Sequence, residues 1–258
     1  FALTEPDVGS DAGSIAATAR RDGDHYVLHG TKRYITNAPV ADLFTVMART
    51  GGPGPDGISA FLVPRDSPGL SFGAVDRKMG QRGTRTCDVI FEACSVAADA
   101  VIGGVEGRGF KTAMKVLNRG RLHIAAVCVG AAQRLCDEAV GFARNRRQFG
   151  KPIGEHQLVQ AMLADSAMET FAGRSMVIET ARRFDAGARV VQEVACAKLF
   201  CSEMVGRVAD RAVQIHGGAG YMQDYPVERF YRDVRLFRLY EGTSQIQQII
   251  IAREMLNS

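Results

Sequence analysis

A single carboxylate, Glu241, stands directly before a predicted helix start near the end of the sequence. The run Tyr240–Gln245 reads Tyr-Glu-Gly-Thr-Ser-Gln, in which Thr243 and Ser244 are good N-cap residues, and the apolar residues that follow have helical spacing. A carboxylate on a loop at a helix start is a candidate general base, and the hydroxyls and free N–H groups beside it are candidate cofactor ligands. The structural alternative is an acidic residue that stabilises the positive end of the helix dipole.

Two other segments carry groups that could hold an anionic ligand. Arg146 and Phe149 lie at the end of a predicted helix. A guanidinium matches phosphate geometry, and the Phe149 ring offers an aromatic surface to a ligand. The structural alternative is a cation that stabilises the negative end of the helix dipole. Near the start, the turn-rich run Thr4–Asp11 can present the N–H of Gly9 and the hydroxyl of Ser10 to a ligand, or it can simply be a turn that enters the first strands.

The composition is that of an ordinary globular protein. The chain has 258 residues, of which 46% are hydrophobic and 23% charged, enough for one large domain or two smaller ones. It starts at Phe1, so we expect a fragment or a processed product. No apolar run approaches the ~18–20 residues of a membrane span, so no span is expected. The six cysteines lack a CxxC pair and lie mostly in apolar segments, which favours reduced thiols in an intracellular protein over disulfides or a metal site.

Charge is divided unevenly along the chain. The net charge of +4 splits into −2 for residues 1–103 and +6 for residues 104–258. A modest excess of this kind over a helical half does not indicate nucleic acid, but it is compatible with an anionic small ligand such as a phosphorylated cofactor.

The hydrophobic pattern changes once, near residue 103. Residues 1–103 read as short strands separated by Gly/Pro turns with no helices between them, which predicts an antiparallel sandwich or barrel. Residues 104–258 have helical spacing, with long helices at about 110–145, 155–184 and 190–215 and shorter segments at 227–237 and 244–256. The predicted fold class is therefore α+β, an antiparallel β-barrel/sandwich domain followed by an up-and-down helical bundle.

Six motifs in this order resemble the acyl-CoA dehydrogenase family, and the resemblance covers essentially the whole chain. They are Thr4-Glu5-Pro6 with Gly9-Ser10-Asp11, Tyr34-Ile35-Thr36-Asn37, Arg146 with Gln148–Ile153, Gln214–Tyr221, Tyr231-Arg232-Asp233 and Tyr240–Gln245. The resemblance implies that residues 1–103 form the middle β domain, which binds flavin and acyl-CoA. It implies that residues 104–258 form the C-terminal helical domain with FAD contacts, the catalytic base and oligomer contacts, and that the family's N-terminal helical domain is absent.

By this resemblance the chain is an FAD-dependent oxidoreductase of lipid metabolism and fatty acid β-oxidation. Such enzymes oxidise the Cα–Cβ bond of an acyl-CoA thioester to a trans-2-enoyl-CoA: a carboxylate removes the α-proton, and the β-hydride passes to the flavin. Glu241 is the implied base. Some relatives, including isovaleryl-CoA dehydrogenases, carry the base on the long helix, but here that helix has no Glu between Lys115 and Val127.

The implied ligand contacts carry over residue by residue. The FAD contacts are Phe1, Leu3, Thr4, Gly9, Ser10, Tyr34, Ile35, Thr36, Arg146, Phe149, Gln214, Gly218, Gly242, Thr243 and Gln245. The substrate contacts are Ser10, Asn118, Arg121 and Tyr240. Two positions depart from the family pattern: other members often have Trp at the position of Tyr34 and Asp at the position of Asn118. Metal is not expected.

The implied partners are an acyl-CoA substrate, electron-transfer flavoprotein as electron acceptor, and further copies of the chain in a dimer of dimers, in which Arg146 and Phe149 reach a neighbour's FAD. The implied compartment is the bacterial cytoplasm, or the mitochondrial matrix in a eukaryote. Two alternatives stay open. One is a flavin oxidase of the same fold that uses oxygen, and the other is a non-catalytic scaffold or weak nucleic-acid binder that uses the basic helical half.

Overall fold

A computed structural model describes residues 1–257, which form strands first and helices afterwards. The chain divides into two compact units. The first unit is Phe1–Val116, and the second begins at Leu117. The division falls within the first long helix, which starts at Gly109.

The first unit contains a six-stranded sheet with the strand order β4-β3-β1-β2-β6-β5. Its strands are β1 (Thr18–Asp22), β2 (His25–Thr36), β3 (Leu43–Arg49), β4 (Ile58–Pro64), β5 (Leu70–Phe72) and β6 (Thr86–Ala97). Neighbouring strands run antiparallel except β1 and β3, which pair in parallel where Thr18 lies opposite Arg49. The sheet is therefore mixed and open, with β4 and β5 as its edges, rather than wholly antiparallel.

Alternation of apolar residues builds the core of this unit. Tyr26, Leu28 and Ile35 of β2 are buried between partly or fully exposed neighbours, as a one-faced strand requires. The Tyr26 ring meets the Phe61 ring edge to face at a centroid distance of 5.0 Å. Gly30 allows β2 to bulge, because a Cβ at this position would lie 2.7 Å from the Cβ of Ala17.

The short strands predicted within residues 1–103 are confirmed as β2 to β6, and β1 is the strand that the sequence did not reveal. Only Ala19 of its five residues is buried, so the strand lacks the apolar alternation by which the others are recognised. Its place in the sheet is set instead by pairing with β2 along its whole length.

The second unit is a helical bundle. Its helices are α1 (Gly109–Asn145) from Leu117 onward, α2 (Gln157–Asp185), α3 (Val191–His216), α4 (Pro226–Val234) and α5 (Ser244–Leu256). A short hairpin of β7 (Arg147–Gln148) and β8 (Lys151–Pro152) connects α1 to α2. The three long helices and α5 begin and end within two residues of the predicted positions. The segment predicted at 227–237 ends its α-helix at Val234 and continues as a 3-10 turn, Arg235–Arg238.

Small residues of α1 and α3 line one buried core in the helical unit. Ala125, Cys128 and Ala132 of α1 share one buried cluster with Ala197 and Cys201 of α3. Their spacing of three to four residues gives each helix a continuous face toward the core. Within residues 1–257, no helix combines the length and the apolar character needed to cross a bilayer.

Candidate active site

The loop that carries Glu241 has a strained backbone. Glu241 has φ +55° and Gly242 has φ +85°, the left-handed region that glycine accepts readily and a glutamate rarely adopts. Thr243 then caps α5, since its Oγ1 accepts a hydrogen bond from the Ile246 N–H at 3.3 Å, as the sequence predicts for this position. A non-glycine residue held in this conformation costs roughly 1–3 kcal/mol, and it persists only where surrounding contacts fix it.

Three buried side chains supply those contacts. Arg121 Nε donates to the Glu241 carbonyl at 3.2 Å, and Gln247 Nε2 donates to the same carbonyl at 3.1 Å. The Gly242 carbonyl accepts from Lys198 Nζ at 2.6 Å and from Gln247 Nε2 at 3.0 Å. Two cations and one amide, from α1, α3 and α5, therefore fix the two peptide units at which the strain is concentrated.

The Glu241 carboxylate is basic and has a free oxygen. Its Oε2 is buried and accepts no hydrogen bond from residues 1–257. Desolvation raises the pKa of Glu241, and the charges of Arg121, Lys198 and His123 offset part of that rise. A carboxylate with an unsatisfied oxygen and a raised pKa can accept a proton from a weak acid brought against it.

Gly120 on α1 provides the space for that oxygen. A Cβ at position 120 would stand 2.7 Å from Glu241 Oε2, closer than non-bonded atoms approach. Any side chain here would displace the carboxylate, so the glycine and the glutamate form one structural unit.

Some of the residues predicted to contact substrate lie near this loop. Arg121 is buried and its Nε is committed to the Glu241 carbonyl, while Asn118 on α1 has a buried Oδ1 with no partner among residues 1–257. Tyr240 precedes Glu241, and its ring stacks on that of Phe237 at a centroid distance of 6.0 Å and an interplanar angle of 28°. Ser10 lies in the first unit and is exposed.

The flavin contacts predicted for the first unit occupy two neighbouring segments. Arg33 N donates to the Thr4 carbonyl at 2.8 Å, which joins the first segment (residues 1–10) to the end of β2. Thr4 is partly buried, whereas Phe1, Gly9 and Ser10 are exposed. Leu3 has its side chain in the core, so any contact from Leu3 to a ligand would come from its backbone.

The end of β2 forms the second predicted flavin segment. A bulge between Lys32 and Ile35 sets Tyr34 at φ +58° with 63% of its side chain exposed. Thr36 is exposed as well, while Ile35 between them is buried. Bulges of this kind redirect side chains, and an aromatic residue at positive φ is strained, which is typical of a functional position.

A buried ion pair ties these two segments together. Lys32 Nζ contacts the Glu5 carboxylate at 2.7 Å and the Leu3 carbonyl at 3.1 Å, and the carboxylate also accepts from the N–H groups of Ala16 and Ala17. Burial alone would raise the pKa of Glu5, but the Lys32 and backbone hydrogen bonds together lower it below its usual value. Glu5 therefore remains ionised and fully bonded inside the unit.

A separate cavity of about 540 Å³ lies at the other end of the helical bundle. Its lining combines a guanidinium, a glycine pair and aromatic rings: Phe142, Arg146, Gln148, Ile153, Ile215, His216, Gly217, Gly218, Ala219 and Tyr225. The His216 ring stacks on Phe142 at 4.2 Å, and His216 Nδ1 lies 2.8 Å from the Ala212 carbonyl. Gly218 faces open space, and within residues 1–257 no carboxylate pairs with Arg146. A free guanidinium beside glycines and rings suits the phosphates and base of a dinucleotide.

The remaining predicted contacts lie outside this cavity. Phe149 is 93% exposed at the tip of the β7–β8 hairpin, where it and Gly150 both have positive φ, the geometry of a type I′ turn. Gln214 is exposed on the last turn of α3, and Gln245 is exposed on α5. The structure thus places Arg146 and Gly218 together and leaves Phe149, Gln214 and Gln245 at the surface.

Sequence reasoning missed four site residues, namely Lys198, Gln247, His216 and Lys32. Lys198 and Gln247 left a usable signal, because each is a polar residue at a position that the helical period assigns to the core. His216 stood inside the motif Gln214–Tyr221, and Lys32 stood two residues before the motif that begins at Tyr34. Neither was singled out, since their contacts in the fold are with residues distant in sequence.

Comparison with family models agrees with these features. The acyl-CoA dehydrogenase middle domain matches residues 1–94, and the acyl-CoA dehydrogenase C-terminal domain matches residues 107–256. The chain belongs to the acyl-CoA dehydrogenase family.

Similar members of the family have different named activities. The cyclohexane-1-carbonyl-CoA dehydrogenase of Geobacter metallireducens is 43% identical over 99% of this chain and 67% of its own length. The CarC subunit of the caffeyl-CoA reductase-Etf complex of Acetobacterium woodii is 44% identical over 99% of this chain and 68% of its own length.

Among solved structures, the butyryl-CoA dehydrogenase of Megasphaera elsdenii superposes with a TM-score of 0.96 at 37% identity, over 99% of this chain and 67% of that chain. The chain thus spans about two thirds of the length of these acyl-CoA dehydrogenase relatives.

Proposed function

We propose that the chain catalyses α,β-dehydrogenation of an acyl-CoA thioester, with Glu241 as the base that removes the α-proton. The observation that carries this proposal is the buried Oε2 of Glu241, which has no donor among residues 1–257 and sits in a desolvated site that raises the pKa of the carboxylate. A well-placed base of this kind contributes about 10²–10⁴ in rate.

The α-proton must also be made more acidic for this base to remove it. The Glu241 N–H donates to no acceptor among residues 1–257, so it is free to bind a thioester carbonyl. By analogy with the family, we assign this N–H as one of the donors that stabilise the enolate-like charge. The loss of one such donor costs ~3 kcal/mol in comparable sites.

FAD, when bound, supplies the acceptor for the β-hydride. The residues present fit this cofactor, because the cavity at Arg146 and Gly218 offers a free guanidinium and room beside glycine, and Tyr34 and Thr36 are exposed at a strained strand end. We assign Phe1, Leu3, Thr4, Gly9, Ser10 and Ile35 to the same role in the first unit. We assign Phe149, Gln214, Gly242, Thr243 and Gln245 to it in the second.

The exposed ring of Phe149 favours association with another copy of the chain. It extends from the hairpin that follows Arg146, and its ring meets the His156 ring edge to face at a centroid distance of 5.9 Å. We therefore propose a homo-oligomer in which this hairpin contacts the flavin of a neighbour. We also propose that residues 1–103 form the β domain of each copy and residues 104–258 its helical domain.

The direction of the reaction and the electron partner form part of the proposal. The name of the caffeyl-CoA reductase-Etf complex suggests an electron-transfer flavoprotein as the partner, and it makes reduction of an enoyl-CoA a second candidate activity. Glu241 would serve both directions, because a base that removes the α-proton returns it in reverse.

Anaerobic mixing of the flavin-loaded protein with butyryl-CoA tests the proposal. We expect bleaching of the flavin absorbance, followed by faster reoxidation with electron-transfer flavoprotein than with oxygen. Faster reoxidation by oxygen would identify an oxidase. If neither saturated acyl-CoA reduces the flavin nor crotonyl-CoA oxidises its reduced form, the proposed activity is wrong.

A further inference from the structure

Lys198 is a cation enclosed in the helical unit. Its side chain on α3 is fully buried, and its Nζ donates to the Gly242 carbonyl at 2.6 Å. Within residues 1–257 no carboxylate forms an ion pair with it, so the cost of burying its charge is not offset by a salt bridge. A buried cation of this kind beside a strained loop is more typical of a functional site than of packing.

The groups around Lys198 show which charge it serves. Arg121 and Cys128 face it from α1, Glu203 faces it from α3, and Glu241 faces it from the loop. Arg121 is a second cation and disfavours the Lys198 charge, while burial raises the pKa of Cys128 and keeps that thiol neutral. Desolvation lowers the pKa of Lys198 to about 8, so the ammonium predominates at neutral pH.

Glu203 is already committed to other partners. It accepts a hydrogen bond from Ser244 Oγ at 2.5 Å and lies 3.3 Å from Arg238 Nη1. Glu241 has no such partner for its Oε2. The attraction between Glu241 and Lys198 is reciprocal, since the interaction that favours the ammonium also favours the carboxylate.

We propose that Lys198 is a positioning residue for the base: its hydrogen bond fixes the Glu241–Gly242 backbone, and its charge keeps the Glu241 carboxylate ionised between turnovers. Lys198 acts through the loop and does not touch substrate. This role rests on the proposed function of Glu241, and it extends that function by giving the base an electrostatic partner.

Two substitutions separate this role from simple packing. Lys198→Met removes the charge and the donor at similar length, and Lys198→Gln removes the charge but keeps a donor. Gln247 still donates to the Gly242 carbonyl in both variants, and the cost of burying an ammonium disappears, so we expect both to fold. Arg207→Met, which removes a cation from the exposed side of the same helix, is the control.

The test measures the titration of Glu241 itself. Infrared spectra of the flavin-loaded protein with ¹³C-labelled glutamate are recorded against pH, and subtraction of the Glu241→Gln spectrum assigns the band. Removal of a nearby cation disfavours the carboxylate, so in both Lys198 variants we expect the pKa of Glu241 to rise by about 1. At pH values below that pKa, the ionised fraction of Glu241 would then be about tenfold smaller than in the parent protein. His123 and Arg121 also face Glu241 but are common to all the proteins, so the difference isolates Lys198.

The pH profile of flavin reduction provides a second measure. We expect the rate of both variants to fall most at low pH and to approach that of the parent at high pH. An unchanged pKa of Glu241, or an equal loss of rate at every pH with the fold intact, would show that Lys198 is only structural. If the pKa rises but the parent protein reduces no flavin, the coupling stands and the proposed dehydrogenation fails.

Discussion

Glu241 Oε2 lies against Gly120 so closely that a Cβ at position 120 would stand 2.7 Å from it. The long helix therefore lacks a side chain at the point where the loop presents its carboxylate. This relationship limits where the proposed base can lie, and it makes Gly120 as much a part of the candidate site as Glu241.

Gly120→Ala should displace the carboxylate without unfolding the helix. We expect flavin reduction by acyl-CoA to slow by about 10–100-fold, since misplacement of a reacting group by about 1 Å has effects of this size. Gly130→Ala is the matched control on the same helix, because a Cβ there meets nothing within 4 Å. The control should keep its activity and gain ~0.5–1 kcal/mol of stability. Equal activity of the two variants would argue against the close fit.

The raised pKa of Glu241 predicts the pH dependence of the proposed reaction. The base works as a carboxylate, so the rate of flavin reduction should increase with pH through a single ionisation above the usual glutamate range. The same shift affects stability: the folded protein binds the proton more tightly than the unfolded chain, so this group contributes stability below its unfolded pKa and loses it as pH rises through the folded one. Stopped-flow measurement of flavin reduction from pH 5 to pH 9 tests the first effect. A rate that decreases as the pH rises through the lower part of this range would contradict it.

Arg146→Ala should weaken cofactor binding at the cavity beside Gly218. The guanidinium has no carboxylate partner within residues 1–257, so its removal costs the fold little but takes away the proposed phosphate contact. We expect about 10–100-fold weaker binding of FAD, measured by flavin fluorescence, since a charge-assisted hydrogen bond contributes roughly 1.5–3 kcal/mol. Arg144→Ala, two residues earlier and exposed in the last turn of α1, should bind FAD normally. Equal affinities would remove Arg146 from the site.

Separating Lys32 from Glu5 should be costly for the first unit. Lys32→Met leaves a buried carboxylate without its cation, for which we expect a loss of about 3–5 kcal/mol in urea denaturation. The double variant Lys32→Met/Glu5→Gln should recover much of that loss, because a neutral amide is cheaper to bury.

Acid should weaken the same pair. The pKa of folded Glu5 is lowered, so its contribution is present above the unfolded pKa of ~4.3 and is lost as pH falls through the folded value. If Lys32→Met lost no more stability than a variant of an exposed lysine, the stabilising role of the Lys32–Glu5 pair would be wrong.

Local patterns in the sequence were enough to predict most of the fold. The long helices show apolar spacing over seven or more turns. The N-cap of α5 at Thr243 was predictable because its hydrogen bond spans only three residues. The strand β1 lay beyond such reasoning, since it has one buried residue and is placed by its neighbours. The β7–β8 hairpin was hidden by its length of two residues per strand.

The site was less accessible to sequence reasoning than the fold. Glu241 could be singled out from its neighbours, but its left-handed backbone and the contacts from Arg121, Lys198 and Gln247 depend on residues up to 120 positions away. Contacts of side chains with distant carbonyls leave no periodic signal. The cavity at Arg146 similarly joins the end of α1 to the end of α3, which only the packed bundle brings together.

The most direct test of Glu241 as the base is exchange of the substrate α-proton with solvent. A 3-thia acyl-CoA has sulfur at the β-position and cannot lose a β-hydride, so only proton removal is observed. In D₂O, we expect the flavin-loaded protein to exchange the α-protons in the NMR spectrum, Glu254→Gln to do the same, and Glu241→Gln to exchange them at least ~100-fold more slowly. Exchange by Glu241→Gln at the rate of the parent protein would show that another group is the base.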